Sequence, residues 1–173
     1  ELGRLLDGLD ADTGGDGVMA ATVKDLPYAL LRDFAFVSTT TTFPFMFLVP
    51  GDSPHKTLAD LIDDAKKQPG KLNYGSSGIA STLHLAGELM KEMASVDLLH
   101  VPFKGNQVQE LAAGRLNLAV STTSPAMGML KAGKIRALAS TALTRSPNFA
   151  DVPTVAETLP GYEVISWLGL AAP

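Results

Sequence analysis

The sequence predicts an α/β fold with a largely parallel sheet flanked by helices, and three observations carry that prediction. From about residue 45 onward, short aliphatic or β-branched runs alternate with stretches of helical period, the pattern of successive strand and helix units. Two of the helical stretches place apolar residues on one face. The joints between units carry capping residues and glycines where helices should start and stop.

The strands expected from these runs are 45–49, 72–74, 98–101, 116–121 and 135–140. Between the first two, Leu58, Leu61, Ile62 and Ala65 recur at the i, i+3, i+4, i+7 spacing of a buried helix face, and Ala86, Leu89, Met90 and Met93 repeat it further on. Both stripes are read as core, including the methionines, which pack far more often than they bind a cofactor. Thr57 with Asp60 and Thr154 with Glu157 fit capping boxes, and Ser124 with Pro125 fits N-cap and N1. Gly114 and Gly133 stand just past helix ends, where a left-handed residue is wanted. Before the first clear strand the chain reads differently, with Gly14, Gly15 and Gly17 around Asp16 and a run of four threonines at 39–42. That run favours extended backbone, either as a connection between lobes or as an edge strand.

A chain of 173 residues with 46% hydrophobic and 18% charged residues has ordinary globular composition. The net charge of −4 and the scattered lysines and arginines argue against nucleic-acid binding. With no cysteine, thiolate metal sites, thiol nucleophiles and disulfides are excluded. The longest apolar stretch, 43–50, is too short to span a bilayer.

The most informative segment is Tyr74-Gly75-Ser76-Ser77-Gly78-Ile79-Ala80-Ser81-Thr82, which joins a strand to an amphipathic helix. Glycines let the backbone approach a ligand, the hydroxyls donate hydrogen bonds, and the helix start adds free N–H groups with a positive dipole end. Such a turn holds a carboxylate without a buried cation; the plainer reading is a capped turn with no ligand. Ser121-Thr122-Thr123-Ser124 before Pro125 is a second hydroxyl-rich turn at a strand's carboxyl end, where open parallel sheets place ligands. Phe103 and Lys104, in the turn from Pro102 to Asn106, add a ring and a cation to the same edge.

Enzyme motifs are absent. Ile79 stands where a G-x-S-x-G elbow needs its last glycine, and there is no phosphate loop or G-x-G-x-x-G. His55, His84 and His100 lack metal-ligand spacing, so neither metal nor cofactor is expected. His84, near the start of its helix, is placed to reach Ser77 or Ser81, and a helix-start hydrogen bond is favoured over a general base.

The chain resembles the solute receptors of tripartite tricarboxylate transporters. The resemblance rests on Pro69-Gly70-Lys71-Leu72-Asn73-Tyr74-Gly75-Ser76-Ser77-Gly78, His84-Leu85-Ala86-Gly87-Glu88-Leu89 and His100-Val101-Pro102-Phe103-Lys104-Gly105. It continues through Ala132-Gly133-Lys134-Ile135-Arg136-Ala137-Leu138-Ala139, Asp151-Val152-Pro153-Thr154, Pro160-Gly161-Tyr162-Glu163 and Trp167-Leu168-Gly169-Leu170-Ala171-Ala172-Pro173, with a weaker match at Asp25-Leu26-Pro27-Tyr28. It implies a type II periplasmic-binding-protein fold with an incomplete first lobe: 1–42 as partial first lobe and connection, 43–166 as the ligand-contacting second lobe, and 167–173 as the return connection. It implies a periplasmic or extracytoplasmic receptor, not an enzyme, that binds a small organic carboxylate and works with membrane transporter subunits. The expected ligand-binding residues are Ser76, Ser77, Gly78, Ser81, Thr82, Ser121, Thr122, Phe103 and Lys104. Because Ser121-Thr122-Thr123 stands where the family often carries acidic and amide groups, a plain carboxylic acid is favoured over an amino acid. The family's first strand and glycine-rich turn would precede Glu1, and a homodimer through the incomplete lobe is the expected way to cover it. Two rivals are the effector-sensing domain of a transcription regulator and a serine hydrolase built on Ser77 and His84.

Overall fold

The computed structural model describes residues 11–12 and 30–172, and the chain is organised around the strand expected at 45–49. Most of the segment 1–42, including the glycines around Asp16 and the match at 25–28, lies outside the described residues. In chain order the elements are β1 (Ala11–Asp12), α1 (Leu30–Asp33), β2 (Ala35–Pro44), β3 (Met46–Pro50), α2 (Leu58–Lys67), β4 (Asn73–Ser76), α3 (Thr82–Ala94), β5 (Leu99–Pro102), α4 (Gln107–Ala112), β6 (Leu118–Ser121), α5 (Thr123–Lys131), β7 (Ile135–Ser140) and β8 (Ile165–Ala172).

Among the described residues two sheets form, one three-stranded in the order β1-β8-β2 and one five-stranded in the order β5-β4-β6-β3-β7. In the larger sheet β4 runs parallel to β5 and β6, whereas β3 runs antiparallel to both β6 and β7. Four of its five strands therefore point one way and β3 alone runs against them. The reason is the entry of the chain. β2 passes into β3 across a single residue, Phe45, so β3 enters at the carboxyl ends of its neighbours, and Met46 pairs with both Ser121 and Ser140.

β3 reads as a continuous apolar run because both its faces are covered. Phe47 and Val49 pack into a core with α2, α3 and Tyr162, while Met46 and Leu48 pack into a second core with Val108, Leu111, Leu116 and Ala126. Leu58, Leu61, Ile62 and Ala65 are all buried on α2, and its Thr57–Asp60 capping box is formed. On α3 the buried face is Leu83, Ala86, Gly87, Met90 and Ala94; Leu89 packs at its margin and Met93 is exposed. The expected stripe was rotated because Gly87 carries no side chain to count. A Cβ there would lie 2.3 Å from the Tyr74 ring, so this glycine lets α3 sit directly on β4.

The helix after β6 starts two residues earlier than Ser124-Pro125 suggests. Thr122 is its N-cap and Pro125 falls in the first turn, where its missing N–H costs no helical bond. Gly114 and Gly133 have the expected positive φ, and each follows a helix closed by the 6→1 and 5→2 bonds of a Schellman motif. The Thr154–Glu157 signal begins only a short 3-10 turn, with the Glu157 carboxylate accepting from the Thr154 N–H. The four threonines lie in β2, an edge strand of the smaller sheet.

The junction between the sheets is held by one residue the sequence did not single out. Thr141 is fully buried; its hydroxyl accepts from the Phe45 N–H at 2.8 Å and donates to the Val164 carbonyl at 2.6 Å. Its own N–H donates to Phe45 and its carbonyl accepts from Val164. β2, which enters the larger sheet through Phe45, and β8, which begins after Val164, are thus tied at Thr141 in addition to their own pairing.

Candidate carboxylate site

β4 and β6 are neighbours, so the turns that follow them open at the same edge of the sheet. The first turn is tightly built. Gly75 has no room for a side chain, since a Cβ would meet Leu116 Cδ1 at 2.6 Å. The buried Ser76 hydroxyl accepts from the Gly78 N–H at 3.2 Å and lies 2.7 Å from His100 Nε2 and 3.1 Å from the Gly78 carbonyl. Ser81 is the N-cap of α3, accepting from His84 N–H at 3.2 Å and donating to the Gly78 carbonyl at 2.8 Å. Ala80 is left-handed, with φ 62°, which costs a residue bearing a Cβ about 1 to 2 kcal/mol. Its N–H donates to His84 Nδ1 at 3.1 Å, one of the bonds that holds it there.

Beneath the turn lies a stack that residue spacing did not reveal. The His84 and His100 rings are 4.0 Å apart between centroids, and Tyr74 lies 4.8 Å from His100. The Tyr74 hydroxyl donates to Glu88 at 2.5 Å, and Lys91 pairs with the same carboxylate at 2.8 Å. Burial, reinforced by Glu88, pushes the Tyr74 phenol far above its ordinary range. Burial alone would raise Glu88, but the Lys91 and Tyr74 hydrogen bonds hold it below the usual value. Burial, and then the charge on His84, hold His100 below its ordinary 6.5.

That last shift has a defined sign. A histidine whose folded pKa is depressed takes up protons more readily when unfolded, so its contribution is present above about pH 6.5 and is lost as pH falls below it toward the folded value. Thermal melts from about pH 8 to about pH 5 should therefore show falling stability. His100→Gln, which keeps a donor for Ser76, should flatten that decline; an unchanged pH slope would clear His100 of the effect.

Against the outer side of the turn lies a cavity of about 240 Å³ lined by Ser77, Ser81, Thr82 and Thr122, with Leu83, Phe43, Phe45 and Ser166 completing the wall. The Thr82 hydroxyl is buried and has no partner. The N–H groups of Thr82 and Leu83 belong to the first turn of a 13-residue helix, where the backbone offers them no acceptor. Thr122 caps no backbone N–H with its side chain. No cation lines the cavity, so a negative group there would be held by hydroxyls, N–H groups and the helix dipole.

Of the residues expected from sequence, Ser77, Ser81, Thr82 and Thr122 are brought together in this lining. Gly78 shapes the turn with φ 137° and does not line the cavity. Ser76 is turned inward to His100. Ser121 is buried in β6, paired with Met46. Phe103 packs over Gly75 and donates its N–H to the Ser76 carbonyl, and Lys104 is exposed; neither is in the lining. Phe43, Phe45 and Ser166 were not expected, because they arrive from the junction strands and no local spacing links them to the turn. Ser77 makes no hydrogen bond to His84, whose Nδ1 is taken by Ala80, so the pair needed for a serine hydrolase is not assembled. Among the described residues no group of three or more His, Cys, Asp or Glu converges as metal ligands would.

Comparison with known proteins agrees with this architecture. The family model described as tripartite tricarboxylate transporter family receptor matches residues 8–173. A protein of Pseudomonas sp. (strain P51), named for the tcbD-tcbE intergenic region, is 39% identical over 152 residues, covering 86% of this chain and 45% of that protein. Among solved structures, Rhodopseudomonas palustris MatC with bound malate superposes with a TM-score of 0.83 at 30% identity, covering 95% of this chain and 57% of the other. R. palustris Rpa4515 with adipate superposes with a TM-score of 0.86 at 35% identity, covering 95% and 56%. The chain thus spans about half the length of the proteins it matches. On this evidence the chain belongs to the tripartite tricarboxylate transporter receptor family and has the fold of periplasmic binding proteins.

Proposed function

We propose that this chain supplies one wall of the ligand crevice of an extracytoplasmic receptor, in which residues 43–166 hold a small organic carboxylate for delivery to membrane transporter subunits. The observation that carries the reading is the unpartnered, buried Thr82 hydroxyl beside the free N–H groups of a helix start, in a cavity without a cation. An unpaired buried hydroxyl is unfavourable, and a carboxylate oxygen supplies the acceptor it lacks. The malate and adipate of the two R. palustris structures are consistent with that chemistry.

Thr82→Val separates binding from folding. The methyl group has the shape of the lost hydroxyl and removes an unsatisfied donor, so the free chain should be as stable as before or slightly more so. Affinity for a carboxylate should fall by about 1 to 3 kcal/mol, the range for a charge-assisted hydrogen bond. Titration calorimetry with malate and adipate, alongside thermal melts, measures both. Equal affinity in the variant would remove Thr82 from the site.

A further inference from the structure

Among the described residues, the cavity on the outer side of the turn is the first of three in a row. It shares Phe43 and Thr122 with a neighbour of about 360 Å³, and that neighbour shares Pro44 and Thr123 with a third of about 780 Å³. The row follows the carboxyl edge of the larger sheet from the end of β4, past β6, to the end of β7, and then runs beside α5. Its two ends differ in chemistry. The small end holds the unpartnered Thr82 hydroxyl and the free helix N–H groups. The large end is walled mainly by Met46, Met127, Leu130, Phe149 and Val152, with Lys131, Ser140, Ser146 and Asn148 at its margin, and among the described residues none of the unpartnered buried polar atoms belongs to its lining.

A space of this size falls in the range of small-molecule sites. Its thioether walls adapt to irregular apolar shapes, and with no buried polar atom left unpartnered its apolar part favours groups that gain by leaving water. From the two ends together we infer that the ligand is a carboxylate carried on an extended apolar body, with the carboxylate at the Ser77–Thr82 turn and the body lying along the row into the cavity beside α5. This rests on the carboxylate reading of the turn and adds to it a ligand class. Thr122 and Thr123, at the start of α5, stand where the polar and apolar parts meet. The cavity beside α5 would then select among carboxylates by length and apolarity, while the turn accepts the head group common to all.

The test uses the chain with its methionine methyls and backbone amides labelled for NMR, titrated with acetate, butyrate, hexanoate and octanoate, and with octanol as the uncharged control. Met46 and Met127 line the large cavity, whereas Met90 is sealed in the other core. Expected are shifts of the Thr82 and Leu83 amides with every acid and shifts of the Met46 and Met127 methyls only with the longer ones. Met90 should stay silent. Affinity should rise by up to about fourfold per methylene that enters the cavity. Met127→Trp, which fills the cavity, should abolish the gain with length.

Turn amides that respond equally to all four acids, with silent Met46 and Met127 methyls, would overturn the inference and leave the carboxylate reading standing. Octanol moving the methyls as strongly as octanoate would also overturn it, since the apolar cavity would then be independent of the head group. If no acid moves the turn amides, the carboxylate reading itself fails and the inference fails with it.

Discussion

Replacing Phe47 by alanine should destabilise the chain by about 3 to 5 kcal/mol, toward the upper part of the range for removing a buried aromatic ring. Phe47 is wholly buried in β3, a strand with neighbours on both sides and cores on both faces. Its ring meets Tyr162 edge-on at 6.2 Å. The cost of such a truncation depends on whether the surroundings can collapse into the void. Here they are pinned: the Tyr162 hydroxyl donates to the Ala86 carbonyl at 2.9 Å, and Ala86 belongs to α3, which Gly87 seats against Tyr74. Urea unfolding followed by circular dichroism gives the value, with a shift in midpoint at nearly constant slope. A loss below about 1 kcal/mol would mean that Tyr162 or α2 moves to fill the space.

The parts of this structure that were legible in the sequence share a property: they are local. The face of α2, its capping box, the Schellman glycines at 114 and 133 and the approximate strand positions each depend on residues within a few places of one another. What escaped depends on residues brought together from afar. The reversed direction of β3 follows from its entry across Phe45, and no pattern within 45–49 encodes it. Spacing alone puts Met93 in the core because it weighs apolar residues and overlooks Gly87, whose missing side chain is what sets the buried face. Ser124-Pro125 looked like a helix start because proline suits the first turn generally, and the actual cap, Thr122, leaves no side-chain hydrogen bond to mark it.

The site divides the same way. Composition located the hydroxyl-rich turn but not which hydroxyls face outward. Strand alternation and the turn's own bonds send Ser76 inward to His100 and leave Thr82 at the cavity. Three histidines scattered in the sequence gave no signal, yet two of them form the stack that supports the turn, because β4, α3 and β5 converge there.

Gly51→Ala is expected to cost about 3 kcal/mol or more, from a close approach of two backbones. Gly51 leaves the end of β3, and a Cβ at that position would lie 2.0 Å from the Gly133 carbonyl oxygen, with Gly133 and Lys134 carbonyl carbons at 3.1 Å. Neither partner can yield cheaply. Gly133 is fixed in the left-handed turn that closes α5, through bonds from its own N–H to Leu130 and from Lys134 N–H to Met129. Gly51 in turn donates its N–H to the Lys134 carbonyl at 2.8 Å and accepts from Arg136, which also reaches the carbonyls of Ser53 and His55. Pushing the strands apart would therefore break the contact that ties the start of β7 to the loop leading into α2. A control separates contact from conformation. Gly133→Ala meets no neighbour within 4 Å but must hold φ 66°, so it should cost only about 1 to 2 kcal/mol. Chemical denaturation of both variants gives the comparison. Should Gly51→Ala prove the milder of the two, the approach of β3 to the α5–β7 turn is looser than these distances require.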